Sequence, residues 1–87
     1  MNTPSVQEFP SEFPIKVMGR HDSDLRALTQ AIVERHVGLV SESNVRTRAS
    51  ADGNFLAVTY LVIAQNRAQL DDIYRELTAC KAVLMAL

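Results

Sequence analysis

Residues 48–64 read RASADGNFLAVTYLVIA, a turn signal followed by ten residues with almost no polar side chain. Asp52-Gly53 is a strong hairpin signal, because glycine takes without steric cost the positive φ that a close reversal between strands demands. The apolar run after it is about half the ~20 residues needed to span a bilayer, so it reads as a strand with a long buried backbone. Antiparallel strands with one wet face alternate polar and apolar residues. This run is apolar in both parities, with Val58, Tyr60 and Val62 on one side and Phe55, Ala57, Thr59, Leu61 and Ile63 on the other.

Working outward from the run, NVRTRAS alternates Val45, Thr47 and Ala49 with Arg46 and Arg48 and supplies the hairpin's other strand. Upstream, HDSDLRALTQAIVERHVG changes period. Asp22 or Ser23 is expected to cap a helix whose stripe is Leu25, Leu28, Ile32 and His36, and Gly38 ends it. Before that, residues 13–19, FPIKVMG, place Ile15 and Val17 on one side and Lys16 and Met18 on the other, as in a strand closed by Gly19. Downstream, NRAQLDDIYRELTAC reads as a second helix capped by Asn66, with Leu70, Ile73, Tyr74 and Leu77 buried, and AVLMAL closes the chain as a strand.

The order βαββαβ implies a ferredoxin-like α+β sandwich. Its four-stranded antiparallel sheet carries both helices on one face, with the first and third strands central and the second and fourth at the edges. A chain of 87 residues suits one such domain. Residues 13–87 are assigned to it, and residues 1–12, broken by Pro4 and Pro10, to a mobile arm whose end Phe9 and Phe13 pin to the body.

Nine Lys plus Arg against ten Asp plus Glu leave a formal charge of −1, so no global field gathers nucleic acid or anionic membrane. The single Cys80 makes no internal disulfide, and MNTPSVQEFPSEFP has acids and prolines where a secretion signal needs a basic start and an apolar core. A cytoplasmic location is expected.

The activities this topology can host are tested on the residues. Iron–sulfur binding needs several cysteine ligands, and metal transfer needs Cys-x-x-Cys; the chain has one cysteine. Sheet-face RNA recognition stacks bases on aromatics of the first and third strands. GNFLAVTY has Phe55 but Ala57 where a second ring belongs, and the first strand offers no ring at its central positions. An acyl-phosphate hydrolase needs a phosphate-cradling loop, and MGRHDSD offers a generic turn.

The individual polar candidates have ordinary readings. His21 is a solvated loop histidine with no partner acid or nucleophile fixed by spacing, and His36 suits a helix C-terminus. Asp71, Asp72 and Glu76 suit the start and exposed face of the second helix. Arg46 and Arg48 share one face of an edge strand. They blunt edge-to-edge aggregation, and they also suit an anionic ligand or acidic partner. Cys80 is a semi-buried filler at the last junction.

EFP, FPIKVMG, the RASADGNF hairpin, LDDIYREL and the C-terminal VLMAL together resemble the YbeD-like family of small bacterial proteins of unknown function (DUF493, UPF0250), across nearly the whole chain. The resemblance implies a ferredoxin-like fold similar to regulatory ACT domains, which bind small metabolites, and implies no established reaction. The chain has Phe55 where the family usually has tyrosine and Ala57 where it usually has serine, which removes hydroxyls from the third strand. The resemblance also favours the parity that puts Val58, Tyr60 and Val62 beneath the helices. Met18, Leu61 and Ile63, with one face of residues 83–87, then form an open patch interrupted by Lys16.

Two functional expectations follow. One is a non-catalytic regulatory or interaction module that docks a protein partner or a second copy through Met18, Leu61 and Ile63 on the open sheet face or through the Arg46 and Arg48 edge. The alternative is an ACT-like domain in which Gly19, Arg20, His21 and Ser23, with the helix start, bind a small anionic metabolite. Neither reading involves catalytic residues, a metal, a cofactor, nucleic acid or a membrane.

Overall fold

The computed structural model describes residues 8–87. The chain runs β1 (Ser11–Arg20), α1 (Leu25–Val37), a 3-10 turn (Glu42–Asn44), β2 (Val45–Ala49), β3 (Phe55–Ala64), α2 (Arg67–Ala79) and β4 (Met85–Ala86). The strands form one sheet in the order β2-β3-β1-β4, every pair antiparallel, with both helices packed on one face. This is the ferredoxin-like α+β arrangement.

The core lies between sheet and helices. Ile15 and Val17 of β1 and Val58, Tyr60, Val62 and Ala64 of β3 meet Leu25, Ile32 and Val33 of α1 and Leu70, Ile73 and Leu77 of α2. The parity of β3 is therefore the one with Val58, Tyr60 and Val62 beneath the helices. Asn66 caps α2, its side chain accepting from the Gln69 amide at 2.8 Å. Gly38, at φ 87°, ends α1.

Several boundaries and side-chain placements differ from expectation. β1 begins at Ser11 and ends at Arg20, because its pairing with β3 is continuous from Ser11↔Ala64 to Arg20↔Phe55. Pro14 sits inside it without loss: Lys16 exchanges both backbone bonds with Leu87, so the same edge of Pro14 faces a stretch that β4 does not reach. Phe9 packs against the core, while residues 1–7 of the expected arm lie outside the described residues.

The cap of α1 is Asp24, not Asp22 or Ser23, and it makes no side-chain cap bond. The Ser23 hydroxyl donates instead to the Arg20 carbonyl at 2.7 Å. The buried stripe of α1 takes Thr29 in place of Leu28, which is 46 % exposed. The cause is Tyr60, whose hydroxyl enters the core and needs partners. It lies 2.7 Å from Thr29 Oγ1 and donates to the Arg26 carbonyl at 3.2 Å, while Thr29 Oγ1 also reaches the Leu25 carbonyl at 2.7 Å. Burial raises the Tyr60 pKa, so the phenol stays a neutral donor.

The hairpin loop is longer than a two-residue turn. The last ladder pair is Ala49↔Leu56, and Ser50 and Asp52 organise what lies between. The Ser50 hydroxyl donates to Asp52 Oδ1 at 2.7 Å and accepts from the Phe55 amide at 3.0 Å, and the Asn54 amide donates to Asp52. The Ser50 hydroxyl, followed by the Asn54 amide, holds the Asp52 carboxyl below its ordinary range. Gly53, at φ 78°, takes the positive-φ position. The final strand is confined to Met85–Ala86, with one backbone bond at Leu84 and two at Leu87 continuing it along β1.

Candidate functional site

Register and parity together build the helix-free face of the sheet. Thr59 of β3 stands between Arg46 of β2 and Lys16 of β1, and in the next row Ala57 stands between Arg48 and Met18, with Met85 beyond Met18. Phe55 opposes Arg20 at one end of β3, and Leu61 and Ile63 oppose Pro14 and Glu12 at the other. Alternate residues on one strand lie ~7 Å apart and adjacent strands ~5 Å apart. The long side chains of Lys16, Arg46 and Arg48 therefore stand around the short Thr59 and Ala57.

The consequence is a concavity of about 510 Å³ lined by Lys16, Arg46, Thr47, Arg48, Ala57 and Thr59. No acidic side chain lines it. Elsewhere among the described residues four of the six cations are paired, Arg20 with Asp22, Arg26 with Glu42, Arg35 with Glu76 and Arg75 with Asp72, leaving Arg67 and Lys81. Beside the concavity, Phe55, Leu61, Ile63, Met85 and Leu87 are exposed apolar side chains. Met18 is half-buried between Ala57 and Met85. The structure thus brings Met18, Arg46, Arg48, Leu61 and Ile63 onto one face. Lys16 and Thr59 join the arginines there, which a strand-by-strand reading missed because only the β1–β3 register makes them neighbours.

The first strand-to-helix loop is arranged differently. The His21 ring lies with Nδ1 3.0 Å from the Gly53 carbonyl, to which it donates, and the His21 amide donates to Asn54 at 2.8 Å. These bonds clip the loop to the hairpin. Arg20 leans over the Phe55 ring at 5.8 Å and reaches Asp22 at 3.9 Å, and Ser23 is bonded back to Arg20. The cleft left between the two loops is about 180 Å³ and includes the Asp22 carboxylate among its lining side chains. Gly19 lies on the helix side of β1. A β-carbon there would collide with the Ala82 carbonyl and sit 2.8 Å from Leu25 Cδ1, so close packing accounts for its lack of a side chain.

The remaining polar candidates serve the scaffold. Glu76 of α2 pairs with Arg35 and, at 2.7 Å, with His36 Nε2, joining the ends of the two helices, while Asp72 pairs with Arg75. The His36 and then the Arg35 bond hold the Glu76 carboxyl below its ordinary value. Cys80 is a half-buried thiol at the end of α2. Among the described residues no group of three or more His, Cys, Asp or Glu is placed to hold a metal ion. No helix among them is long and apolar enough to cross a membrane.

Comparison with known proteins places this architecture. A UPF0250 protein of Paraburkholderia phytofirmans is 41% identical over 95% of this chain and 93% of its own length. One from Chromobacterium violaceum is 43% identical over 92% and 90%, and one from Neisseria meningitidis is 37% identical over 99% and 94%. Among solved structures, the C-terminal domain of the MgtC protein from Mycobacterium tuberculosis superposes with a TM-score of 0.63 at 17% identity, covering 94% of this chain and 89% of that one, which is a likeness of fold. Residues 4–87 match the model of a family described as "Protein of unknown function (DUF493)", and the chain belongs to that family.

Proposed function

We propose that the protein is a cytoplasmic, non-catalytic interaction module that docks a protein partner on the helix-free face of its sheet. The observation carrying this reading is the exposure of Leu61 and Ile63 at one end of that face and of Phe55, Met85 and Leu87 towards the other. A wet sheet face is ordinarily polar, and contiguous exposed apolar surface marks an interaction site. The occupant is a partner carrying acidic side chains around an apolar contact. By register the face presents four basic side chains, Lys16, Arg20, Arg46 and Arg48, against one acidic side chain, Glu12. A second copy packed face to face would bring like charges together, which favours a different protein. The metabolite-binding reading of Gly19, Arg20, His21 and Ser23 has less support, because His21 bonds to the hairpin, Ser23 to Arg20 and Arg20 to Asp22, while Gly19 is closed in by Ala82 and Leu25.

The test is a paired capture from the native cytoplasm with wild type, Leu61→Glu and Arg67→Gln as baits. A partner retained by wild type and Arg67→Gln and lost by Leu61→Glu is expected, since an unpaired charge buried among the apolar contacts of a docking patch is strongly unfavourable. Equal recovery by all three baits would overturn the reading, and so would a concentration-dependent dimer of the wild type that Leu61→Glu dissolves.

A further inference from the structure

We infer that the concavity bounded by Lys16, Arg46 and Arg48 is a binding site for a small phosphate-bearing metabolite. Its size, about 510 Å³, is that of a small-ligand pocket. Three donors reach it from two strands: two guanidiniums, which take oxyanions bidentately, and an ammonium on the far side of Thr59. The Thr59 hydroxyl and the Ala57 methyl form the floor, and both are short enough for a ligand to approach the sheet.

Charge points the same way. Of the nine Lys and Arg in the chain, Lys16, Arg46, Arg48, Arg67 and Lys81 have no ion pair among the described residues, and three of these five line this one concavity. No carboxylate is among its lining side chains; Arg46 and Arg48 stand ~7 Å apart along β2 and Lys16 two strands away at ~10–12 Å, about one Debye length at physiological salt, so the cations repel one another. A multiply charged anion relieves that repulsion. Tetrahedral phosphate presents acceptors in all three directions, whereas a single planar carboxylate presents its acceptors in one plane. The site lies on the docking face and shares Lys16, Arg46 and Arg48 with it, whereas the docking reading is carried by the exposed apolar side chains Phe55, Leu61, Ile63, Met85 and Leu87.

Inorganic pyrophosphate is the probe, titrated into the full chain at constant ionic strength and followed by backbone amide resonances, with citrate as the carboxylate comparison. Saturable shifts centred on Lys16, Thr47, Ala57 and Thr59 are expected, with citrate binding more weakly. Affinity should fall about tenfold or more in the Arg46→Gln/Arg48→Gln double variant and, separately, in Lys16→Gln, and stay unchanged in Arg67→Gln. All three pocket positions are exposed, so the variants should keep the wild-type spectrum elsewhere. Linear shifts spread over Arg67 and Lys81 as well, an undiminished affinity in the double variant, or citrate binding at least as tightly would each overturn the assignment. Failure here leaves the Leu61→Glu capture result untouched, and the converse also holds.

Discussion

Tyr60 and Leu61 are neighbours on β3, both large and both apolar in bulk, yet Tyr60 is fully buried and Leu61 is 36 % exposed. The same division runs along the strand: Val58, Val62 and Ala64 lie under the helices, and Phe55 and Ile63 lie in the open. Hydrophobic content does not distinguish the two faces. What distinguishes them is the partner each residue finds within its own chain. Tyr60 meets Thr29 and Arg26 of α1, and Val58 and Val62 lie in the same core as Ile73 and Leu77, whereas no element of the described residues is laid over Leu61 and Ile63. A covered face contributes to stability through burial and satisfied polar groups; an open apolar face contributes little to stability and is available for recognition.

The most direct way to break this comparison is a matched pair of truncations. Tyr60→Ala removes a buried ring with its hydroxyl contacts and should cost about 3–5 kcal/mol. Leu61→Ala, one residue along, should change stability by about 1 kcal/mol or less. Urea unfolding of both variants measures the contrast. Comparable losses would mean that the open face is as much core as the covered one, and the docking reading would lose its basis.

A second substitution sharpens the boundary of the covered face. Gly19 is on the helix side of β1, where a methyl group would meet the Ala82 carbonyl and Leu25. The Ala82 contact is backbone, which cannot rotate away. Gly19→Ala should therefore destabilise by about 1–3 kcal/mol through overpacking. An unchanged urea midpoint would show that the β4 connection yields freely, and that Gly19 is retained for some reason other than packing.

Much of the covered face was legible in the sequence. The stripe Leu70, Ile73 and Leu77 with its Asn66 cap has the spacing of a buried helix face, and Ile15 and Val17 alternate with Lys16 and Met18. The first helix was misread at one turn, where Leu28 is apolar but exposed and Thr29 is polar but buried. Periodicity weighs each side chain alone. Thr29 is inside because a phenol thirty-one residues away needs a hydrogen-bond partner, a tertiary demand that outweighs local hydropathy. The candidate pocket was half legible for a similar reason. Arg46 and Arg48 share a strand and were visible as a pair, but Lys16 and Thr59 join them only through the pairing Lys16↔Thr59 and Arg46↔Thr59.

The smallest expected effect concerns what keeps the helix layer together over the covered face. Glu76 of α2 accepts from Arg35 and His36 at the end of α1, and these bonds depress its pKa below the ordinary 4.5. A carboxyl with a lowered folded-state pKa binds its proton more readily in the unfolded chain. The stability it contributes is therefore present above pH ~4.5 and is lost as pH falls through the folded-state value. Exposure and salt keep the effect modest. Glu76→Gln should leave a stability that depends less on pH between 5 and 3 than that of the wild type, as read from thermal midpoints across that interval, and 1 M salt should narrow the difference. Because Tyr60, Leu61 and the open-face cations are untouched, the variant should still bind pyrophosphate as the wild type does. A wild-type midpoint equally insensitive to acid would mean that this ion-paired cluster does not help hold the two helices over the sheet, and that burial of Leu25, Val33, Ile73 and Leu77 does so alone.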